Sequence, residues 1–222
     1  MGEYFNGRGF TSLGIRLAGH ATHPEDMRRA RWTDWTASVE DGYQLLRGVT
    51  DRIYIAGLSM GGVLALLASA RLDVKGVVAM STPYRLLRDY PTWQLRLYDL
   101  FKHYAPKSPE TPGGSWFDKG AFAEQVSYPQ NPVRSIIELK FLLQEMRAAL
   151  PEVRVPVLLI HSRDDAYVLP ENMEQIYAGL VNSPDRSKLT ISGSGHVITR
   201  DAARGQVFEA AGEFIRRIEQ AN

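Results

Sequence analysis

The run Arg52-Ile-Tyr-Ile-Ala-Gly-Leu-Ser-Met-Gly-Gly62 constrains this chain more than any other stretch. A short apolar strand ends in Gly57-Leu58-Ser59-Met60-Gly61, and the helical run Val63-Leu-Ala-Leu-Leu-Ala-Ser-Ala70 follows at once. A G-x-S-x-G between strand and helix is a nucleophile elbow. The turn holds its serine in strained backbone geometry, and the glycines on either side are expected to let strand and helix pass closely. Ser59 then stands at the carboxyl edge of a sheet. The Met60 backbone N–H and the helix N-terminus face any oxyanion that forms there. Taken alone, G-x-S-x-G also describes a glycine-bounded loop; the flanking strand and helix select the nucleophile.

With such an elbow the catalytic partners follow in the order acid, then histidine. The strand candidate Val155-Pro-Val-Leu-Leu-Ile160 leads into His161-Ser-Arg-Asp-Asp-Ala-Tyr-Val168, so an acid here reaches the same sheet edge as Ser59. Asp164 and Asp165 compete. Asp165-Ala-Tyr-Val168, with Pro170 opening the next helix, fits the acid-loop layout better, which leaves Asp164 as a solvated loop carboxylate. One more strand, Lys188-Leu-Thr-Ile-Ser192, is followed by Gly193-Ser-Gly-His196, a histidine on a glycine-rich loop able to reach both acid and serine. Alone, His196 reads as a surface loop residue; after Ser59 and Asp165 it reads as the base.

The chemistry needs these three types. A serine hydroxyl is a weak nucleophile at neutral pH and requires a neutral imidazole to take its proton. A carboxylate fixes the imidazole tautomer and stabilises the imidazolium formed during attack. Acyl transfer through an acyl-serine is the reaction class.

Strand and helix patterns alternate along the chain, which predicts a parallel sheet covered on both faces. Thr11–Leu17 and Val74–Met80 read as strands, and Trp32, Trp35, Val39, Tyr43 and Leu46 recur at helical spacing as packing residues. The last helix is expected to start with Asp201 as N-cap and to carry Val207, Ala211, Phe214, Ile215 and Ile218 on one face. Residues 83–150 break the rhythm. An aromatic-rich helical stretch gives way to the Pro/Gly-rich segment 105–114, and another helix runs from about Pro132 to Leu150. An insertion of this kind predicts a cap over the site within a single domain spanning 1–222.

Composition narrows the partners. The 26 basic and 25 acidic residues balance, which gives no electrostatic case for nucleic acid. The absence of cysteine rules out disulfides and thiolate catalysis. No apolar run reaches membrane-spanning length and Met1-Gly-Glu-Tyr lacks a signal-peptide pattern, so the cytoplasm is the expectation. No metal or cofactor is expected. His20-Ala-Thr-His23 has no third ligand nearby, His161 reads as a structural histidine, and His103 has no partner visible in sequence.

The segments Ala56-Gly-Leu-Ser-Met-Gly-Gly-Val63, Ser194-Gly-His-Val-Ile-Thr199 with Asp201, and Arg16-Leu-Ala-Gly-His20 resemble bacterial carboxylesterases of the monoacylglycerol-lipase type. Trp32-Thr-Asp-Trp35, with Val39, Gly42 and Leu45-Leu46, is similar to the helix before their nucleophile strand. The resemblance runs from the first residues to the C-terminus and is weakest over about 83–150. It implies an α/β-hydrolase fold with a helical cap before the acid-bearing strand, uncharged ester substrates with short to medium acyl chains, and no metal. It also implies nucleophile Ser59, acid Asp165, base His196 and one oxyanion donor at the Met60 amide.

One departure is serious. Members of that group begin with a strand ending in a His-Gly loop that supplies the second oxyanion donor, and no His-Gly pair occurs here. Met1–Gly9 instead resembles the second half of the helix after that loop. A record cut at an internal methionine, a genuine fragment, and a sheet in which 11–17 pairs directly with 52–58 are the alternatives; the first is preferred. Losing one donor typically costs about 10²–10³ in turnover. Two functional classes follow: a serine carboxylesterase acting on small-molecule esters, or a catalytically silent hydrolase fold serving as a binding module.

Overall fold

The structure is a computed structural model that describes residues 1–107 and 116–221. The N-terminal part holds α1 (Gly2–Asn6), α2 (Pro24–Arg29) and α3 (Trp32–Arg47). The sheet strands are β1 (Tyr54–Leu58), β2 (Gly76–Met80), β5 (Val157–Ser162) and β6 (Arg186–Ile191), with α4 (Met60–Ser69) after β1 and α8 (Glu171–Gly179) before β6. Between β2 and β5 lie α5 (Thr92–Phe101), β3 (Tyr104–Pro106), α6 (Lys119–Ala123), β4 (Gln130–Pro132) and α7 (Val133–Ala149). Helix α9 (Arg204–Ala221) closes the chain. Among the described residues no helix is long and apolar enough to cross a membrane.

The four strands are ordered β1-β2-β5-β6, and every pairing among them is parallel. All four carboxyl ends therefore meet at one edge, where an open α/β sheet presents its site. Alternation along the strands divides the core. Val77, Ala79, Val157 and Leu159 pack towards α3, α4 and α7, while Val78, Met80, Leu158 and Ile160 meet Phe5 and the Val207, Ala211, Phe214, Ile215 stripe of α9. Burying a side chain of this size contributes about 1.5–3 kcal/mol, so the strands are held from both faces.

Two sequence expectations fail here. Residues 11–17 form no strand. The backbone just beyond them is tied to a helix instead of a ladder: Ala18 N–H donates to Ser38 Oγ (3.3 Å) and the Ala18 carbonyl accepts from Trp35 Nε1 (3.1 Å). Ile15 covers Gly42 of α3, where an added Cβ would stand 2.6 Å from Ile15 Cδ1. The segment stays over α3, β1 is an edge strand, and the rearranged pairing of 11–17 with 52–58 does not form. The second failure is at Asp201, which does not cap the last helix. That helix begins at Arg204, because the Asp201 carboxylate is engaged elsewhere.

The inserted segment carries the two expected helices, α5 and α7, together with the antiparallel β3–β4 pair that sequence did not anticipate. Of the Pro/Gly-rich stretch 105–114, the part from 108 onward lies outside the described residues. Helix α7 buries Ile137, Leu142, Leu143 and Met146, whereas α5 buries no residue at all.

Candidate active site

The elbow forms as its sequence demands. Ser59 follows β1 and precedes α4 with φ 54° and ψ −120°, a conformation that a non-glycine residue adopts at a cost of about 1–3 kcal/mol. Its amide donates to the Met80 carbonyl (2.8 Å), which ties the elbow to the end of β2. The glycines divide their work differently from the motif's symmetry. A Cβ at Gly57 would lie 2.0 Å from the Gly61 carbonyl oxygen, and one at Gly62 would lie 2.0 Å from Thr82 Oγ1. A Cβ at Gly61 meets nothing within 4 Å. The close passage thus needs Gly57 and Gly62; at Gly61 it is the backbone that is approached. Met60 opens α4, where amides of the first turn have no intrahelical carbonyl to serve.

Asp165 lies two residues beyond the loop's start, on the turn after β5, fully buried. Its Oδ1 accepts from the Tyr167 and Val168 amides, both at 2.9 Å, a local turn that fixes the carboxylate. Its Oδ2 accepts from His196 Nδ1 at 2.8 Å. Burial works to raise the Asp165 carboxyl. Hydrogen bonds from His161 and His196, the charge of the His196 ring and the Val168 amide outweigh it, and the group lies well below the ordinary carboxylate range. Because Oδ2 is an acceptor, Nδ1 of His196 carries the proton and Nε2 is left with a lone pair, the tautomer a general base needs.

His161 stands behind the acid. Its Nε2 donates to the Val168 carbonyl (2.7 Å) and lies 3.5 Å from Asp165 Oδ2, with the ring 1% exposed. It is the structural histidine expected, and its ring also stands against the Asp165 carboxylate. Asp164 is not the solvated carboxylate expected: its Oδ2 accepts from the Gly193 amide (2.8 Å) and so ties the acid loop to the loop bearing His196. The Ser162 hydroxyl donates to the Ser194 carbonyl, and the Ser194 hydroxyl accepts from the Ala203 amide (2.8 Å). The Tyr167 ring lies 5.8 Å from the His196 ring.

Asp165 and His196 are thus joined directly, on loops at the sheet edge that also carries Ser59. No hydrogen bond closes the remaining step from Ser59 Oγ to the imidazole in this structure, and such links are often long before substrate binds. His20 stacks edge-on to Trp35, 6.2 Å between rings, and burial lowers its pKa against the opposing Ala18 and Leu17 carbonyls. His23 caps α2 by accepting from the Glu25 amide, and His103 meets Arg28 and Asp99. Among the described residues no three His, Asp or Glu side chains are grouped to hold a metal. Tyr167, the Asp164 tie and the Ser162–Ser194 contact escaped sequence reasoning. Only the adjacency of Asp164 and Ser162 to the acid was a signal for them.

A parallel sheet with a serine elbow, followed by an acid and a histidine at successive strand ends, is the architecture of an α/β-hydrolase. The chain matches the family described as serine aminopeptidase, S33, over residues 1–203, and it belongs to that family. It is 31% identical over 218 residues to the thermostable monoacylglycerol lipase of Bacillus sp. strain H-257, covering 98% of this chain and 84% of that one. To the carboxylesterase of Bacillus subtilis strain 168 it is 28% identical over 222 residues, covering 99% and 86%. Among solved structures, one of the metagenome-derived lipolytic enzymes LipS and LipT superposes with a TM-score of 0.86 at 29% identity, covering 97% of this chain and 86% of that one. The chain is accordingly an enzyme of the esterase and lipase type.

Proposed function

We propose that the chain is a serine carboxylesterase that hydrolyses uncharged esters of short to medium acyl chain, monoacylglycerols among them, through an acyl-serine at Ser59. The observation that carries this reading is the 2.8 Å hydrogen bond from His196 Nδ1 to the buried Asp165, at the sheet edge that bears the strained Ser59. Neutral His196 takes the Ser59 proton as Oγ attacks the ester carbonyl, and the Met60 amide at the start of α4 donates to the oxyanion. The imidazolium then protonates the leaving alcohol. Water, deprotonated by the same imidazole, releases the acid. Relatives named as monoacylglycerol lipase and carboxylesterase support an uncharged ester substrate.

Residues 83–150 serve as a cap in this reading. Two contacts support it. Tyr128 OH donates to the Gly19 carbonyl (2.8 Å) and accepts from the Thr22 amide (3.0 Å), while the Phe117 and Asp118 amides reach Asp201 beside the His196 loop.

The test is an activated phosphonate followed by a panel of p-nitrophenyl esters. One label per chain is expected, at Ser59, together with turnover of acetyl to octanoyl esters; Ser59→Ala removes both. Labelling that survives Ser59→Ala would sink the assignment. Hydrolysis of aminoacyl amides without esters would replace the substrate class.

A further inference from the structure

The Asp201 carboxylate is fully buried, and among the described residues every hydrogen bond it accepts comes from backbone N–H groups. Oδ1 accepts from Asp118 (2.7 Å), Ala202 (2.8 Å) and Phe117 (3.0 Å); Oδ2 accepts from Gly195 (2.7 Å) and, more weakly, from Phe117 (3.2 Å). Besides the adjacent Ala202, these donors come from two places that are remote in sequence. Gly195 immediately precedes His196, and Phe117 and Asp118 belong to the inserted segment, just before α6. A buried carboxylate needs strong donors, and oriented amides supply them in charge-assisted bonds. The result is one acceptor shared by the base's loop and the insert.

The surroundings reinforce the junction on the insert side. Asp118 caps α6 by accepting from the Ala121 amide (3.0 Å), and Arg204 donates to the other Asp118 oxygen (2.8 Å). Trp116 is buried against Phe122, 5.8 Å between rings. Asp201 also gives up the capping role that its position before the last helix invites. That helix starts at Arg204, and the Ala203 amide turns to Ser194.

We propose that Asp201 is a positioning residue that holds His196 in place through the Gly195 amide and couples that hold to the docking of the insert at Phe117 and Asp118. This rests on His196 being the base, as in the proposed function. If the insert lifts away, the carboxylate loses two of its four amide donors while still buried, and the Gly195 tie has to readjust. Opening of the insert therefore loosens the base, and the catalytic arrangement completes only when the insert is seated.

The experiment compares Asp201→Asn with Arg204→Ala in the full chain. An amide has one acceptor oxygen and offers N–H groups where amides already point, so Asp201→Asn is expected to lower kcat by about 10- to 100-fold, the scale of a displaced catalytic group, with KM changed less than about threefold. Trypsin cleavage after Lys119 should accelerate in the same variant. Arg204→Ala leaves all four amide donors intact but removes one support of the junction at Asp118, so its loss of kcat should be smaller than that of Asp201→Asn. Asp201→Asn with unchanged kcat overturns the proposal, and so does a fall in kcat without faster cleavage at Lys119. Should Asp201→Asn not fold, hydrogen exchange of the unaltered protein decides: the amides of Phe117, Asp118 and Gly195 are expected to open together, and free exchange of the first two beside a protected Gly195 overturns the coupling. Phosphonate labelling of the unaltered protein that needs Ser59 but not His196 would instead overturn the proposed function.

Discussion

The elbow that carries Ser59 and the loop that carries His196 reach the same sheet edge by opposite means. Everything that bends the chain at Ser59 lies within a few residues: strand β1, Gly57, Gly62 and the first turn of α4. From outside come the amide contact to Met80 and the close approach of Thr82 to Gly62, both from the end of β2 and the residues just after it. The His196 loop has no such internal frame. Asp164 holds Gly193, Ser162 holds the Ser194 carbonyl, Asp201 holds Gly195, and Asp165 holds the ring itself. The strained serine is served by a short, stiff device. The histidine is instead suspended from several points, and its placement is sensitive to each of them.

Four changes would break or sharpen that contrast. The largest effect is expected at Asp165. Asp165→Asn removes the acceptor that fixes the His196 tautomer, so kcat should fall by about 10⁴-fold, read with a p-nitrophenyl ester; a loss under tenfold would mean another acid serves. Next is the elbow itself. Gly57→Ala puts a Cβ 2.0 Å from a backbone carbonyl oxygen, which the turn cannot yield, and both Ser59 labelling and thermal stability should be lost. Gly61→Ala, with open space around its Cβ, should fold and keep turnover within a few fold. Equal damage from the two would show that the glycine requirement is not steric.

A smaller effect is expected at a single suspension point. Asp164→Ala deletes one hydrogen bond to Gly193, worth about 1 kcal/mol, and should reduce kcat by about three- to tenfold without abolishing labelling. The least is expected from pH. The Asp165 carboxyl is depressed in the folded chain, so it stabilises the fold above the ordinary carboxylate pKa, about 3.9. That contribution disappears as pH falls from there towards the lower folded value. The difference in urea midpoint between the unaltered protein and Asp165→Asn should shrink as pH falls below about 4. A difference that grows on acidification would show that the sign of the shift is wrong.

The second oxyanion donor belongs to the same contrast. The Met60 amide is part of the local device and could be named from the motif. A partner donor has to come from a different segment, and among the described residues no strand pairs with the outer side of β1 to carry one. Thr11–Leu17 had the alternation of a strand, yet Trp35 and Ser38 hold Ala18 against α3, and that anchoring keeps the segment from reaching β1.

What the amino-acid sequence determined by itself was whatever depends on neighbours in the chain. It specified the strained turn at Ser59, the strands β1, β2 and β5 from their apolar runs, and the apolar stripe of the last helix. The turn that fixes the Asp165 carboxylate is equally local, made with the amides of Tyr167 and Val168, two and three residues on. Tertiary structure alone decided what Asp164, Asp201, Tyr167 and the 11–17 segment do. A carboxylate's role depends on which N–H groups meet it, and the partners of Asp201 at Phe117 and Asp118 lie more than eighty residues away. Nothing in local pattern distinguishes such a buried acceptor from a helix cap. Only the folded chain brings its donors together.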